Sequence, residues 1–386
     1  TWRVADDLQA PVVYMAGGQL ERQLPRRFTL FAGVFLIRIQ HLIRARDVNA
    51  PLPDSITQAN PGGVRPNGNV GEIYQYESSG RFNQSQLFLG FNNRFNRTLS
   101  FFSSYSLSKT TNDTDGQGGS LFPANSYDMS GEFGRAAFDV RHRFTFAGTL
   151  NLPWWQMSLN PFILASSGAP FNIVTGQDTN GDRLFTERPS FAPANVDCSN
   201  PVANIVCTPY GNFNLQPATG ESLIPRNYGQ SPGFVSVNMR ISKTWSFGTI
   251  HSASAANQNQ PAGQSGQRGG SGGAPGAGAP RIPSGGGSGA PRGGGSRGGG
   301  LASVGGPAGG GAEAKRYSMQ FSVNFQNLFN HVNLQPANGN LSSPFFGQSL
   351  GLSGGFGGFG TPGGGGASGG SGAGNRKITA QVRFNF

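Results

Sequence analysis

Asp178, Asn180 and Asp182 stand at alternate positions in the stretch QDTNGDRLFTE. Three oxygen side chains at that D-x-N-x-D spacing can wrap one hard cation, as at the start of an EF-hand calcium loop. The rest of the EF-hand pattern fails. Arg183 occupies the position that requires Gly, and Pro189 the position of the bidentate Glu. Glu187 is near enough to serve irregularly. The competing reading is a turn rich in Asp, Asn and Gly on a surface loop, whose side-chain oxygens bond neighbouring backbone. Calcium is the one cofactor these residues suggest, and the plain turn stands beside it. Cys198 and Cys207, nine apart in a polar stretch, have no His within twenty residues and no C-x-x-C partner. That excludes a zinc site. A disulfide closing a short loop fits best and points to an oxidising compartment; two free buried thiols are the alternative.

Other reactive constellations are missing. His41, His142, His251 and His331 are scattered singly, there is no H-E-x-x-H, and no Gly-Lys pair forms a phosphate loop. Gly269-Gly270-Ser271-Gly272-Gly273 spells a nucleophile elbow, but in so much Gly and Ser the string arises by chance. The chain is expected not to be an enzyme. Arg268, Arg292 and Arg297 sit in R-G-G contexts, and the net charge of +11 invites a nucleic-acid reading. Against it, residues 263–311 hold only four Arg, no Lys and no aromatic to stack on bases. No nucleic-acid partner is expected.

The elements that carry these residues are strands. Of 62 glycines, 23 fall in 263–311 and 14 in 351–374, so an ordinary chain carries two glycine-rich inserts. Collagen is excluded because no three-residue period exists. Full disorder is excluded by 30 Phe, 8 Tyr and 4 Trp. The longest apolar run, Phe28 to Ile37, is ten residues, whereas a spanning helix needs about 20. No targeting segment is visible. Period two dominates instead. In TLSFFSSYSLSK, Leu99, Phe101, Tyr105 and Leu107 share one face, and Ser100, Ser104, Ser106 and Ser108 the other. The segments 84–95, 233–246, 316–325 and 376–386 repeat this, with weaker candidates at 12–24, 27–42, 139–152 and 155–175. These are about nine strands of roughly ten residues or more, against a usual five or six. Long strands with an aromatic-rich face and a Ser/Asn/Gln/Arg face match a membrane barrel, apolar side to lipid and polar side to a wet lumen. The connections alternate as well: short at Pro25–Arg26, Asn96–Arg97 and Pro153–Trp154, long at 43–83, 110–138 and 176–232. Short periplasmic turns and long outer loops have that rhythm. Trp154 and Trp155 read as interfacial belt residues. His142, between Arg141 and Arg143, reads as a basic strand end rather than half of a wall-mounted Ser/His pair.

Five segments, in order across residues 84–386, then resemble the C-terminal part of a TonB-dependent outer-membrane receptor. NRKITAQVRFNF is similar to the family's closing strand, with Phe384 and Phe386 at the chain end. FSVNFQNLFNHVN at 321–333 resembles the penultimate strand with its N-L-F-N signature. SYSLSKTTND at 104–113, FDVRHRFTFAGTLNLP at 138–153 and SSGAPFNIVTGQDTNGD at 166–182 look like further family segments. Such receptors have about 22 strands around an N-terminal plug, and here no plug is found. The resemblance implies an all-β fold: an antiparallel transmembrane β-barrel, present as an incomplete half of about nine strands with long outer loops. Composition and alternation place residues 1–248 as strands and outer loops, 249–315 as a Gly-rich low-complexity linker, and 316–386 as the last two strands with the Gly-rich outer loop 351–374. The resemblance further implies the cell outer membrane, contact with outer-membrane lipid, and an assembly signal at Phe384 and Phe386 for the barrel assembly machinery. Energy-coupled uptake of an unidentified nutrient is the implied function, with TonB engaged only through the missing N-terminal part. Another outer-membrane barrel, a porin or adhesin, is the alternative, and a Gly-rich secreted structural protein is the third reading.

Overall fold

The computed structural model describes residues 1–94, 98–114, 122–193, 195–199, 203–218, 220–249, 315–353 and 374–386. The expected linker at 249–315 and the Gly-rich loop 351–374 therefore lie, apart from their ends, outside the described residues. The chain divides into two units. Thr1–Trp245 with Met319–Asn385 forms one, and Ser246–Ser318 with Phe386 the other. In the second, the rings of Phe247 and Tyr317 lie 5.8 Å apart. The first unit holds the greater part of every strand.

Among the described residues sixteen strands are present: β1 (Trp2–Val4), β2 (Val12–Leu24), β3 (Phe28–Asp47), β4 (Tyr74–Arg94), β5 (Leu99–Asn112), β6 (Gly134–Arg135), β7 (His142–Leu152), β8 (Met157–Ser166), β9 (Pro170–Phe171), β10 (Ser190–Phe191), β11 (Ile205–Thr208), β12 (Gly211–Asn214), β13 (Gly229–Gln230), β14 (Phe234–Thr249), β15 (Lys315–Gln326) and β16 (Lys377–Asn385). No α-helix occurs among them. Nine long strands form one sheet in the order β16-β15-β14-β8-β7-β5-β4-β3-β2, with β1 added in parallel to β4 and β6 to β5. The order ends at β2 and β16, which do not pair, so the sheet is open rather than a closed barrel. Both edge strands are exposed throughout, save Leu24.

The registers align the faces across the sheet. One row runs Leu20, Ala32, Leu89, Tyr105, Phe144, Ala165 and Val235, one residue from each of seven neighbouring strands. The adjacent row, on the opposite face, runs Glu21, Phe31, Gly90, Ser104, Thr145, Leu164 and Ser236. A one-residue slip at any ladder would exchange these sets, so the pattern specifies register. Leu20 is 72% exposed, which suits a face whose solvent is hydrocarbon rather than water.

Two strands run further than the alternation predicts. β3 is 20 residues and β4 is 21, whereas period two suggests 27–42 and 84–95. The ladder between them is irregular from Ile39 to Arg44, and His41 takes a left-handed φ of 59° there. Such bulges restart the phase of alternation, hiding the continuation. Gly80 permits it on the partner side, since a Cβ would come within 2.7 Å of the Leu42 carbonyl oxygen. Conversely, β8 stops at Ser166, short of the expected 175, because the chain leaves the sheet there for a long loop.

The apolar core sits in the loops, not in the sheet. Phe171, Ile173, Phe213, Ile224, Ala337 and Leu341 pack together, flanked by Val206, Tyr210, Leu215 and Phe346. The segments 167–233 and 327–353 supply all ten.

Candidate functional site

The long connections join into one interlocked cap beyond the strand ends. From 48–73, Arg65 donates to the Gly181 carbonyl at 2.9 Å. Tyr127 reaches back across to the Ala50 carbonyl at 2.6 Å. Thr186 donates to the Pro123 carbonyl at 2.8 Å, and Asn227 to that of Arg135 at 2.6 Å. From 327–353, Ser342 donates to the Thr175 carbonyl at 2.7 Å. Three buried charge clusters reinforce these ties. Arg44 pairs with Asp113 at 3.0 Å. Asp139, with a fully buried side chain, takes Arg135 and Arg141, both at 3.2 Å. Glu132 takes Arg188 at 2.7 Å and Arg226 at 3.7 Å. Buried pairs of this kind fix geometry more than they add stability.

Within the cap, one carboxylate oxygen from each of Asp178, Asp182 and Glu187 lies within 4.8 Å of the others. Asp182 is wholly buried and Glu187 only 6% exposed. The turn places them by its own hydrogen bonds. Glu187 Oε1 accepts from the Thr179 amide at 2.9 Å. Asp182 Oδ1 accepts from the Leu184 amide at 2.9 Å, and Asp178 Oδ2 from the Arg183 amide at 3.1 Å. Asn180 spends its amide on Asp182: Nδ2 donates to Asp182 Oδ2 at 3.0 Å, and Oδ1 accepts from the Asp182 amide at 3.0 Å. Thus Asp178 and Asp182 meet Glu187, and Asn180 positions Asp182. Burial pushes the Glu187 carboxyl up to about 7, with Asp182 and Asp178 adding to the shift. The Asp182 carboxyl is raised as well, first by burial and then by Asp178 and Asp47, against hydrogen bonds from Leu184 and Asn180.

Cys198 and Cys207 are joined by a disulfide, with Cα atoms 6.0 Å apart, on the exposed side of the 167–233 loop. His142 Nδ1 lies 2.8 Å from the Tyr105 hydroxyl on the neighbouring strand. Phe384 is half exposed on edge strand β16, and Phe386 is 95% exposed.

The N-L-F-N stretch forms a clamp. The Asn327 amide donates to Asn238 Oδ1 at 2.9 Å, while its side chain donates to the His331 carbonyl at 2.7 Å and to that of Gly374. Asn330 Oδ1 accepts from the Arg376 amide at 2.7 Å, just before β16 begins. Six residues after Asn327, Asn333 bonds the backbone of Val235 in both directions, at 2.7 and 2.9 Å. These asparagines fasten β14 and the approach to β16 around the end of β15. Polar residues at turns are visible in sequence; which strand each one holds is not.

A family model described as "Outer membrane beta barrel domain" matches residues 1–255. No curated protein matches. Among solved structures, the outer membrane transporter YddB from Escherichia coli aligns at 10% identity with a TM-score of 0.40, covering 85% of this chain and 30% of that one. The FrpB iron transporter from Neisseria meningitidis (F3-3 variant) aligns at 10% identity and a TM-score of 0.40, over 100% of this chain and 33% of that one. The chain thus spans about a third of the length of those transporters.

Proposed function

Because the chain belongs to the outer membrane beta barrel domain family and so resides in the outer membrane, we propose that it is the barrel portion of a TonB-dependent receptor for energy-coupled uptake of a nutrient. The Asn327 clamp carries this reading. One of the segments that resemble those receptors, FSVNFQNLFNHVN, is also the one whose asparagines fasten β14 and the approach to β16. In this chain the segment acts as a structural joint between neighbouring strands. The interlocked cap adds support. Ligand selection needs loops held in defined positions, and here buried ion pairs and a dedicated apolar core hold them. The barrel contributes the lipid-facing wall, the polar inner face and the outer cap that first meets the substrate.

The test is made on the complete gene product in its own cell. Photocrosslinking should capture TonB, and uptake across a panel of scarce nutrients should include one that a protonophore abolishes. Outer-membrane residence with no TonB crosslink, and uptake indifferent to the protonophore, would replace this reading with a porin.

A further inference from the structure

We propose that Asp178, Asp182 and Glu187 form a Ca²⁺ site that locks the outer loops together. The cluster alone would be three carboxylates on a turn. What makes it a site is the state of its oxygens. Glu187 Oε2 is buried without a hydrogen-bond partner, on a residue only 6% exposed, and Asp178 Oδ1 is buried and unpartnered too. Among the described residues no ion pair reaches any of the three. The two basic residues adjacent in sequence are engaged elsewhere: the Arg183 side chain is 74% exposed and pairs with Glu72 at 3.4 Å, and Arg188 pairs with Glu132 at 2.7 Å. Native proteins hydrogen-bond buried polar atoms or give them an ion. Three clustered carboxylates, two of them each carrying a buried oxygen with no hydrogen-bond partner, call for a cation.

The donor set selects which cation. All three ligands are hard oxygens and none is His or Cys, which disfavours zinc and copper. Three carboxylates on a chain that also offers backbone carbonyls suit the larger, flexible Ca²⁺ shell. Mg²⁺ instead favours one or two carboxylates and keeps several waters. Asn180 acts as a positioning residue, holding Asp182 from both amide atoms. The consequence of filling the site is mechanical. Gly181 is held by Arg65, Asn180 Nδ2 also reaches the Ala124 carbonyl at 3.2 Å, and Thr186 reaches Pro123. One ion would therefore stiffen the junction of three loops.

The experiment uses the protein purified in detergent from outer membranes and stripped with chelator. Ca²⁺ alone is added and binding followed by calorimetry, with protease cleavage of the loops as a second readout. One equivalent of Ca²⁺ should bind, in or below the millimolar range of extracellular modules, and slow cleavage within 167–233. Asp182→Asn and Glu187→Gln should each weaken binding at least about tenfold. If either variant is lost to misfolding, the partly exposed Asp178→Asn gives the same comparison in protein whose heat-modifiable gel mobility is intact. No binding up to about 10 mM Ca²⁺, well above that range, would overturn the proposal. So would binding that all three substitutions leave unchanged, or displacement by equimolar Mg²⁺.

Discussion

Arg188 donates to Glu132 Oε1 at 2.7 Å across 56 residues of sequence, with 2% and 5% of the two side chains exposed. Arg226 stands 3.7 Å from the other carboxylate oxygen, and the Ala124 amide donates to Oε1 at 3.1 Å. One carboxylate thus serves two guanidinium groups and a backbone amide, binding loop 113–141 to loop 167–233. Removing it takes the shared carboxylate away from two buried guanidinium groups. Glu132→Ala should cost about 3–5 kcal/mol, in the range for breaking a buried pair. Glu132→Gln keeps an acceptor for Ala124 and should cost less. Equilibrium urea unfolding in lipid measures both, and a loss under about 0.5 kcal/mol for Glu132→Ala would contradict this account of the cap.

On the polar face, the Phe31 ring lies over Gly90, where an added Cβ would stand 1.8 Å from ring carbons. Phe88 and Phe102 hold the ring from the sides, at 5.3 and 6.1 Å between centroids. Gly90→Ala must therefore push Phe31 out of its stack, at a cost of about 1–3 kcal/mol for overpacking. Phe31→Ala should relieve most of that cost, giving a coupling of opposite sign to the single losses. Additive single and double variants would show that the ring does not depend on Gly90.

The Cys198–Cys207 bridge closes a loop of about ten residues, worth about 2.5 kcal/mol in chain-entropy terms. Both cysteines are exposed and lie away from the long strands. Cys198→Ser with Cys207→Ser should speed protease cleavage between 195 and 215 while leaving heat-modifiable mobility unchanged. Native protein should take up no maleimide until reductant is added. Full labelling without reductant would mean that the bond is absent in the mature protein.

How far the sequence could be read depends on the range of the interactions. Alternation at Leu99–Leu107 and Ile378–Phe384 is local, and those strands stand where period two puts them. The outer halves of β3 and β4 escaped because the bulge around His41 resets the alternation, and because Arg44 and Asp47 are charged yet buried. Their partners, Asp113 and Ile73, are far away in sequence. The loop core was not legible either. Phe171, Phe213 and Leu341 meet only after two long segments fold together. At the carboxylate cluster, Asp178 and Asp182 are apparent from their spacing. Glu187 joins because two amides of the turn seize its other oxygen, which no spacing rule encodes.

The register of the sheet makes a residue-by-residue prediction about its two faces. Leu89, Tyr105 and Phe144 are cross-strand neighbours in one row, and Ser104 and Thr145 in the next, on the opposite side. In an outer-membrane barrel the first row meets hydrocarbon and the second the wet interior. The native cysteines are paired, so a single added thiol reports cleanly. Leu89→Cys, Tyr105→Cys and Phe144→Cys in membrane-embedded protein should react with a lipid-soluble maleimide and resist a charged one. Ser104→Cys and Thr145→Cys should do the reverse. Arginine placed at Leu89 should cost about 2–4 kcal/mol if that position is near the bilayer midplane, and little at Ser104. Labelling with the two rows exchanged would mean that every ladder is slipped by one residue or that the apolar face looks inward. Either result would overturn the assignment of this face to lipid.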